Sequence, residues 1–326
     1  MALSNEMVLV TGGAGFIGSN LVDLLMERGH PVMVLDNLSS GSMKNLERWM
    51  DDPSFKFIKG DIRRPLELAL TPQSIGDGPP IGTIVHLAAR VDVTTSFDKV
   101  HEDLEVNYLG TLNVLEHALR AGTKNMVFSS SAAVFGDTSK VPVGEDEVTA
   151  PLSPYGLNKL SSEQLMRIYS AQYGLSCKSL RFFNVYGPRQ NPSNPYSGVI
   201  SKFMSWALSS EPFIIYGDGS QTRDFVHVRD VAEAIYCAAS SPSSGTYNIG
   251  TGKETSISDL TREVASAAGI PPRTVNMPAR KGEILRSCAD IGLAMEKLSW
   301  EPAIELKEGI RSTFRWFQQD RSTAKE

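Results

Sequence analysis

The sequence predicts an α/β protein: a doubly wound parallel sheet in the first half and a smaller, mixed α+β domain after it. Three observations predict this. Apolar runs of strand length alternate with helical patterns through residues 1–182; a glycine cluster joins the first run to the first helix; and beyond residue 183 the alternation gives way to Pro-, Asn- and Gly-rich stretches. Strands separated by helices pair in parallel through crossovers, which is why the alternation implies the architecture.

Taken in order, MVLVT (7–11), PVMVLD (31–36), FKFIKGD (55–61), TIVHLA (83–88), NMVFSS (125–130) and CKSLRFF (177–183) read as buried strands. Helices are predicted near 16–28, 100–121 and 154–173, and TPQSIGDGPPIG (71–82) reads as a surface loop. In the second half, YGPRQNPSNPYSG (186–198) reads as a long loop of the kind that carries function. A helix near 199–209, strands at 213–216 and 246–249, and a helix starting after TSISD follow. The boundary falls between domains 1–182 and 183–326, with 222–248 expected to pack back onto the first.

Composition excludes several classes. A net charge of −5 and a pI near 5.7 argue against general affinity for nucleic acid or acidic membranes. The three cysteines (Cys177, Cys237, Cys288) are widely spaced, giving neither a disulfide framework nor a metal site, and read as reduced thiols. No signal peptide or membrane-spanning run is evident, so a cytoplasmic location is expected.

The turn VLVTGGAGFIGSN places Gly12, Gly13, Gly15 and Gly18 between the first strand and the first helix. Gly13, Gly15 and Gly18 fit GxGxxG, and Gly12, Gly15 and Gly18 fit GxxGxxG. Missing side chains permit a tight turn and let a helix N-terminus approach a pyrophosphate. Asp36 ends the second strand, where a carboxylate accepts both ribose hydroxyls of an adenosine and repels a 2′-phosphate. No arginine follows within DNLSSG, so NAD is favoured over NADP. Asp36 as a turn former before Asn37 is the plainer alternative. Asp61 could similarly hydrogen-bond an adenine amine, or simply form a turn.

SPYGLNKL (153–160) sets Tyr155 and Lys159 four apart, one turn apart on a helix face. A solvated face would gain little from the pair, but a site would gain much, because a nearby cation lowers a phenol's pKa and prepares it to accept a proton.

At this point the chain resembles, over nearly its whole length, the extended short-chain dehydrogenase/reductases, and among them the nucleotide-sugar 4-epimerases. The markers are TGGAGFIG, DNLSSG, GDIR, HLAA, SSSAAVFG, SPYGLNK, LRFFNVYGPRQ, RDFVHVRDVA and RKGEILRSCAD, in that order. The resemblance implies a Rossmann first domain, a UDP-sugar substrate and 4-epimerisation through a transient 4-keto sugar. It implies Tyr155 as acid/base, Lys159 as the orienter of the nicotinamide ribose and Ser131 at the sugar hydroxyl. NAD would lie against Gly12, Gly15, Phe16, Ile17, Gly18, Asp36, Asn37, Ser39, Gly41, Asp61, Ile62, Leu87, Ala88, Ala89, Asn107 and Ser129, together with Tyr155 and Lys159. The substrate would meet Thr94, Ser131, Asn184, Val199, Tyr216, Arg223, Arg280, Glu283 and Ser287. Guanidinium groups suit a pyrophosphate, although Arg223 could instead pair with Asp224. His227 reads as a satisfied core histidine.

Two departures narrow the reading. The family's dehydratases and decarboxylases carry acids after this serine, whereas Ala132 and Ala133 stand here, leaving oxidation and re-reduction. By the same resemblance Ser287 would border the sugar pocket, where a small residue leaves room for a 2-acetamido group, unless a side chain from 91–97 closes it. A UDP-glucuronate 4-epimerase is the alternative: in ARVDVTTSF (89–97) Arg90 is the only basic residue, and Thr94, Thr95 and Ser96 could also bind a sugar carboxylate. A non-enzymatic NAD-binding sensor would be expected to lose Ser131, Tyr155 or Lys159. Finally, the predicted helices at 100–121 and 157–173 are apolar on more than one side, which suggests a homodimer through a four-helix bundle.

Overall fold

The computed structural model of the protein describes residues 6–76, 78–191, 198–279 and 284–323. Arg280 and Glu283, two of the expected substrate residues, lie outside these, as do residues 192–197 of the predicted loop at 186–198.

The first half alternates as predicted: β1 (Met7–Thr11), α1 (Phe16–Glu27), β2 (Val32–Asp36), β3 (Phe55–Lys59), α2 (Pro72–Ile75), β4 (Ile81–His86), α3 (Thr95–Asp98), α4 (Val100–Leu104), α5 (Gly110–Arg120), β5 (Asn125–Ser131), α6 (Pro154–Tyr173) and β6 (Ser176–Phe182). The second half supplies β7 (Asn184–Tyr186), α7 (Val199–Leu208), β8 (Phe213–Tyr216), β9 (Thr222–Arg223), β10 (Phe225–His227), α8 (Val228–Ser240), β11 (Gly245–Ile249), β12 (Thr255–Ser256), α9 (Ile257–Ala268), β13 (Thr274–Met277), α10 (Gly292–Leu298) and α11 (Leu306–Thr323).

Seven strands form one parallel sheet in the order β11-β6-β5-β4-β1-β2-β3. Alternate residues of each central strand point to opposite faces. Val8, Val10, Val32 and Val34 pack with α1 and α8, while Leu9, Met33, Leu35 and Ile84 pack with α5 and α6. Both faces are covered, which is why these strands read as unbroken apolar runs. A further core, from α7, α9, α11 and β8, centres on Phe203, Phe213, Leu260 and Phe314.

Three local differences from the sequence reading have physical causes. The helix predicted at 100–121 is interrupted by one wide π turn at Glu105–Leu109, where the Asn107 carbonyl accepts the hydroxyls of Thr111 and Ser162. The helix expected after TSISD starts inside it, because the Ser256 hydroxyl caps the Asp259 N–H at 2.9 Å. Within the predicted loop 71–82, Thr71 caps the short α2 and β4 already begins at Ile81.

Behind the sheet's catalytic-looking strand lies a buried ion pair. Arg181 of β6 grips Glu163 of α6 through Nε at 2.9 Å and Nη2 at 2.8 Å, and Ser130 donates to the same carboxylate at 2.5 Å. Removing one partner of such a pair leaves a buried charge unmatched, which outweighs the pair's own modest net value. Arg181→Met is therefore expected to cost about 3–5 kcal/mol, read as a lower denaturation midpoint, and unchanged stability would show the carboxylate is neutralised another way.

Candidate active site

Strand order reverses direction between β1 and β4, so the loops after these strands diverge and open a crevice at their carboxyl ends. Three of the predicted segments meet there. After β1, Gly12 adopts φ +73, and a Cβ on it would stand 2.7 Å from the Ala88 nitrogen. A Cβ on Gly18 would fall 2.2 Å from the Gly12 carbonyl oxygen. The helix can start this close to the turn only because both residues lack side chains. Gly15 caps α1 without a side-chain acceptor, and its first turn holds no acid, so the helix's free N–H groups face the crevice. Phe16, Ile17, Leu87, Ala88 and Ala89 are half-buried around it.

Asp36 is buried at the end of β2 and takes the Ala14 N–H at 3.0 Å and the Leu38 N–H at 2.8 Å. It thus shapes the glycine turn and its own following turn with one carboxylate, each oxygen keeping room for a second donor. Gly41 packs so tightly that a Cβ would stand 2.8 Å from the Ala14 carbonyl carbon, and Ser39 is exposed. Asn37 donates to Asp61 at 3.1 Å. The Asp61 carboxylate is also gripped by the Arg63 guanidinium, which holds it well below the usual carboxylate range. Asp61 is therefore part of a closed turn, and Ile62 beside it is buried with its carbonyl taken by Asn113.

Ser131, Tyr155 and Lys159 come together one layer away. Ser153 caps α6 through the Gly156 N–H at 3.1 Å, and Pro154 occupies the first turn. A Cβ on Gly156 would stand 2.7 Å from the Ala133 carbonyl, so the helix start is pressed against the turn that follows β5. This contact carries the Tyr155 hydroxyl into hydrogen-bonding reach of Ser131, whose own Oγ accepts the Ala133 N–H at 3.2 Å. One turn on, Lys159 is buried and donates to the Ser129 carbonyl at 2.7 Å, with its ammonium 5.9 Å from the Tyr155 ring centre. The pair is no solvated surface.

Burial dominates the electrostatics of the pair. Burial pushes the Tyr155 phenol up to about 12, the Ser131 hydrogen bond opposes this, and the nearby Asp103 carboxylate adds to it. Burial also pushes the Lys159 ammonium down to about 7. Desolvation is the largest influence on both groups.

Sequence reasoning missed the layer beneath. His86 of β4 is fully buried between Thr11 at 2.7 Å and Thr111 at 3.0 Å, and burial lowers its pKa to about 3, so the ring is neutral. Asn107 clasps the Arg90 backbone through both its amide atoms and donates to Asp103 at 2.9 Å. Asp103 is fully buried and also accepts from Asn158 at 2.7 Å. The wide turn in the helix was the available signal, and it is invisible in an apolar pattern.

Among the expected substrate residues, Asn184 is exposed on β7, Thr94 is exposed before α3, Val199 opens α7 and Tyr216 ends β8. Asp224 does not serve Arg223. It is buried and collects Thr251, Gly252 and Ala289, while Arg223 donates to the Thr222 carbonyl at 2.7 Å. Half-buried Ser287 lies just before Ala289, so this clamp sets its position. Arg90 is tied to Glu102 at 2.5 Å. His227 is only half satisfied: Nδ1 accepts the Arg229 N–H at 3.2 Å, but buried Nε2 has no partner.

The NAD dependent epimerase/dehydratase family matches residues 8–250. The UDP-glucose 4-epimerase of Mycolicibacterium smegmatis is 40% identical over 313 residues, covering 95% of this chain and 98% of that one. A UDP-N-acetylglucosamine 4-epimerase from Methanobrevibacter ruminantium, solved with UDP-N-acetylmuramic acid, superposes with TM-score 0.90 at 35% identity, over 98% of this chain and all 100% of that one. The Thermus thermophilus UDP-glucose 4-epimerase, solved with NAD, gives TM-score 0.85 at 36% identity, over 96% and 99%.

The crevice fits NAD: a side-chain-free turn, an uncapped helix start and a carboxylate at the second strand are what a dinucleotide's pyrophosphate and ribose require. Asp36→Ala should relax discrimination against NADP, measured as the ratio of the two cofactors bound by stripped protein. An unchanged ratio would reduce Asp36 to a turn former.

Proposed function

The chain belongs to the NAD-dependent epimerase/dehydratase family, and we propose that it inverts C4 of a UDP-hexose, with Tyr155 moving the hydroxyl proton. It is an NAD-dependent nucleotide-sugar 4-epimerase, with UDP-glucose/UDP-galactose and UDP-N-acetylglucosamine/UDP-N-acetylgalactosamine as the substrate pairs. The observation that carries the assignment of residues is the Ser131–Tyr155–Lys159 cluster, its tyrosine and lysine buried, with Ala132 and Ala133 beside it. A proton can be exchanged with a sugar hydroxyl there, but Ala132 and Ala133 offer no acid for elimination.

Each residue has a defined task in this reading. NAD, when bound, supplies the acceptor and donor for the C4 hydride and a positive ring that favours the tyrosinate. Tyr155 takes the C4 hydroxyl proton as the ketone forms and returns it after the sugar has presented its other face. Ser131 holds that hydroxyl in line with the phenol. Lys159 orients the cofactor's ribose and adds positive charge. Arg223, with Arg280, supports the pyrophosphate, and Asn184, Tyr216 and Glu283 the remaining sugar and nucleoside groups.

The UDP-hexose reading stands ahead of the uronate alternative because Arg90 pairs with Glu102, while Thr94, Thr95 and Ser96 are the other side chains that could meet a sugar carboxylate. We read the protein as cytoplasmic; no described helix is long and apolar enough to cross a membrane. We also propose a homodimer. Val100, Leu104 and Leu109 on one helical stretch and Leu157 and Ile168 on α6 are exposed, and sedimentation of the native protein tests the pairing. Residues 1–182 with 222–248 are proposed as the cofactor half and the rest of 183–326 as the sugar half.

Tyr155→Phe should cut turnover at least ~10²-fold, as expected for loss of a general acid/base, while NAD stays bound. Near-normal epimerisation would remove Tyr155 from the chemistry. The small Ser287 should admit acetamido sugars, whereas Ser287→Tyr should exclude them selectively. Overpacking a rigid pocket costs about 1–3 kcal/mol, enough for a tenfold or greater loss. Equal turnover of acetamido sugars by both forms would place the gate elsewhere.

A further inference from the structure

Asp224, between β9 and β10, is fully buried, and its carboxylate is filled from two sides. Oδ1 accepts the Thr251 N–H at 2.7 Å and the Thr251 hydroxyl at 2.6 Å. Oδ2 accepts the Gly252 N–H at 3.0 Å and the Ala289 N–H at 3.1 Å, with the Cys288 thiol 3.9 Å away. The fit leaves no slack, since a Cβ on Gly250 would stand 2.5 Å from Oδ2 and 2.8 Å from the Ala289 Cβ. The Asp224 backbone reaches a third segment, its carbonyl accepting the Asn184 N–H at 3.0 Å. From Ala289 the connection runs on to the stretch between β5 and α6. The Val143 N–H donates to the Cys288 carbonyl at 2.9 Å, and the Asp290 N–H to the Val143 carbonyl at 2.9 Å. Ala289 also shares a small core with Val134 and Phe135, against which Ala132 packs.

We propose that Asp224 is a positioning residue for substrate binding and sugar discrimination, holding Arg223 and Ser287 in fixed relation to each other. This rests on the reading of the protein as a UDP-sugar 4-epimerase with Asn184, Arg223 and Ser287 at the substrate. Those three residues lie in separate segments, and Asp224 reaches all of them. Arg223 is its neighbour in the chain, Asn184 donates to its carbonyl, and Ser287 stands just before the Cys288–Ala289 pair that its Oδ2 holds. Donors converge on both carboxylate oxygens, a load that only an acceptor-only group carries in full. Alanine at this place releases both segments, 251–252 and 288–289. Asparagine keeps one acceptor: turned towards Ala289 it retains that bond, while its amide donates to the Thr251 hydroxyl and only the Thr251 N–H goes unmet. The glycine turn, Asp36 and the α6 pair make no hydrogen bond to Asp224, so cofactor binding and the proton step stay intact.

The experiment compares holoenzyme in native, Asp224→Ala and Asp224→Asn forms, each with and without Ser287→Tyr. Asp224→Ala should raise KM for UDP-glucose and Kd for UDP alone about tenfold, with kcat and NAD content within about threefold of native. A residue that only braced the fold would lower kcat and NAD content together with binding, and that outcome overturns the proposal. The sugar side is read from the paired variants. Ser287→Tyr should exclude UDP-N-acetylglucosamine relative to UDP-glucose in native and Asp224→Asn protein, whereas Asp224→Ala should relieve that exclusion at least about threefold by freeing the tyrosine to move aside. Unchanged UDP affinity in Asp224→Ala, strictly additive effects in the doubly substituted protein, or no exclusion by Ser287→Tyr each overturns the proposal. Should Asp224→Ala fail to fold, Asp224→Asn should still weaken UDP binding about threefold, and unchanged affinity there overturns it equally. A native protein that binds UDP but epimerises no UDP-sugar overturns the epimerase reading instead, and the UDP titration alone then decides for or against Asp224.

Discussion

The arrangement turns on how α6 docks against the end of β5. Tyr155, Lys159 and Glu163 form one stripe at four-residue intervals, and three consecutive serines receive them. Ser131 meets Tyr155, the Ser129 carbonyl meets Lys159 and the Ser130 hydroxyl meets Glu163. A helix stripe and a strand rarely match in spacing, since their rises differ by more than a factor of two per residue. Here one serine contributes its carbonyl rather than its side chain, and that exchange absorbs the mismatch. Arg181 then closes the far end of the stripe, so the two reactive groups are held between a tight glycine contact at Gly156 and a buried ion pair.

The glycine turn is a constraint of the opposite kind, a place kept clear of side chains. Gly12 and Gly18 lie too near neighbouring backbone to carry a Cβ, and the Asp36 carboxylate is spent in part on holding the turn's Ala14 N–H. The two parts are joined through a chain of hydroxyls and one neutral ring, from Thr11 to His86 to Thr111 and on to the Asn107 carbonyl. Cofactor turn and catalytic helix therefore share a single polar seam inside an otherwise apolar sheet.

Much of this was legible in the sequence. Strand-length apolar runs located the central strands to within a few residues, and the Ser-Pro start fixed the α6 N-terminus because capping is a local property. Tyr155, Lys159 and Ser131 were found by residue type in context. Asp103, His86 and Asn158 were not, because each acts through a partner distant in the chain, and a lone Asp within a helix looks like any solvated charge. Spacing likewise shows that a lysine is near Tyr155, but not that both groups are dry. Helices α8 and α11 escaped notice since the second half lacks the strand–helix rhythm that flags elements in the first.

The strand β11 has a consequence for how such a protein can be altered. It comes from the second half of the sequence yet lies beside β6 at the edge of the first half's sheet, and α8, just before it, covers one face of that sheet. The segments at 199–216 and 250–279 are thus threaded between stretches that complete the seven-stranded sheet and its cover. No single cut releases them as a cassette that could be traded for another with a different preference. Change must come by substitution in place, and the Asp224 clamp, which ties 251–252 to 289, means that neighbouring positions shift together rather than singly.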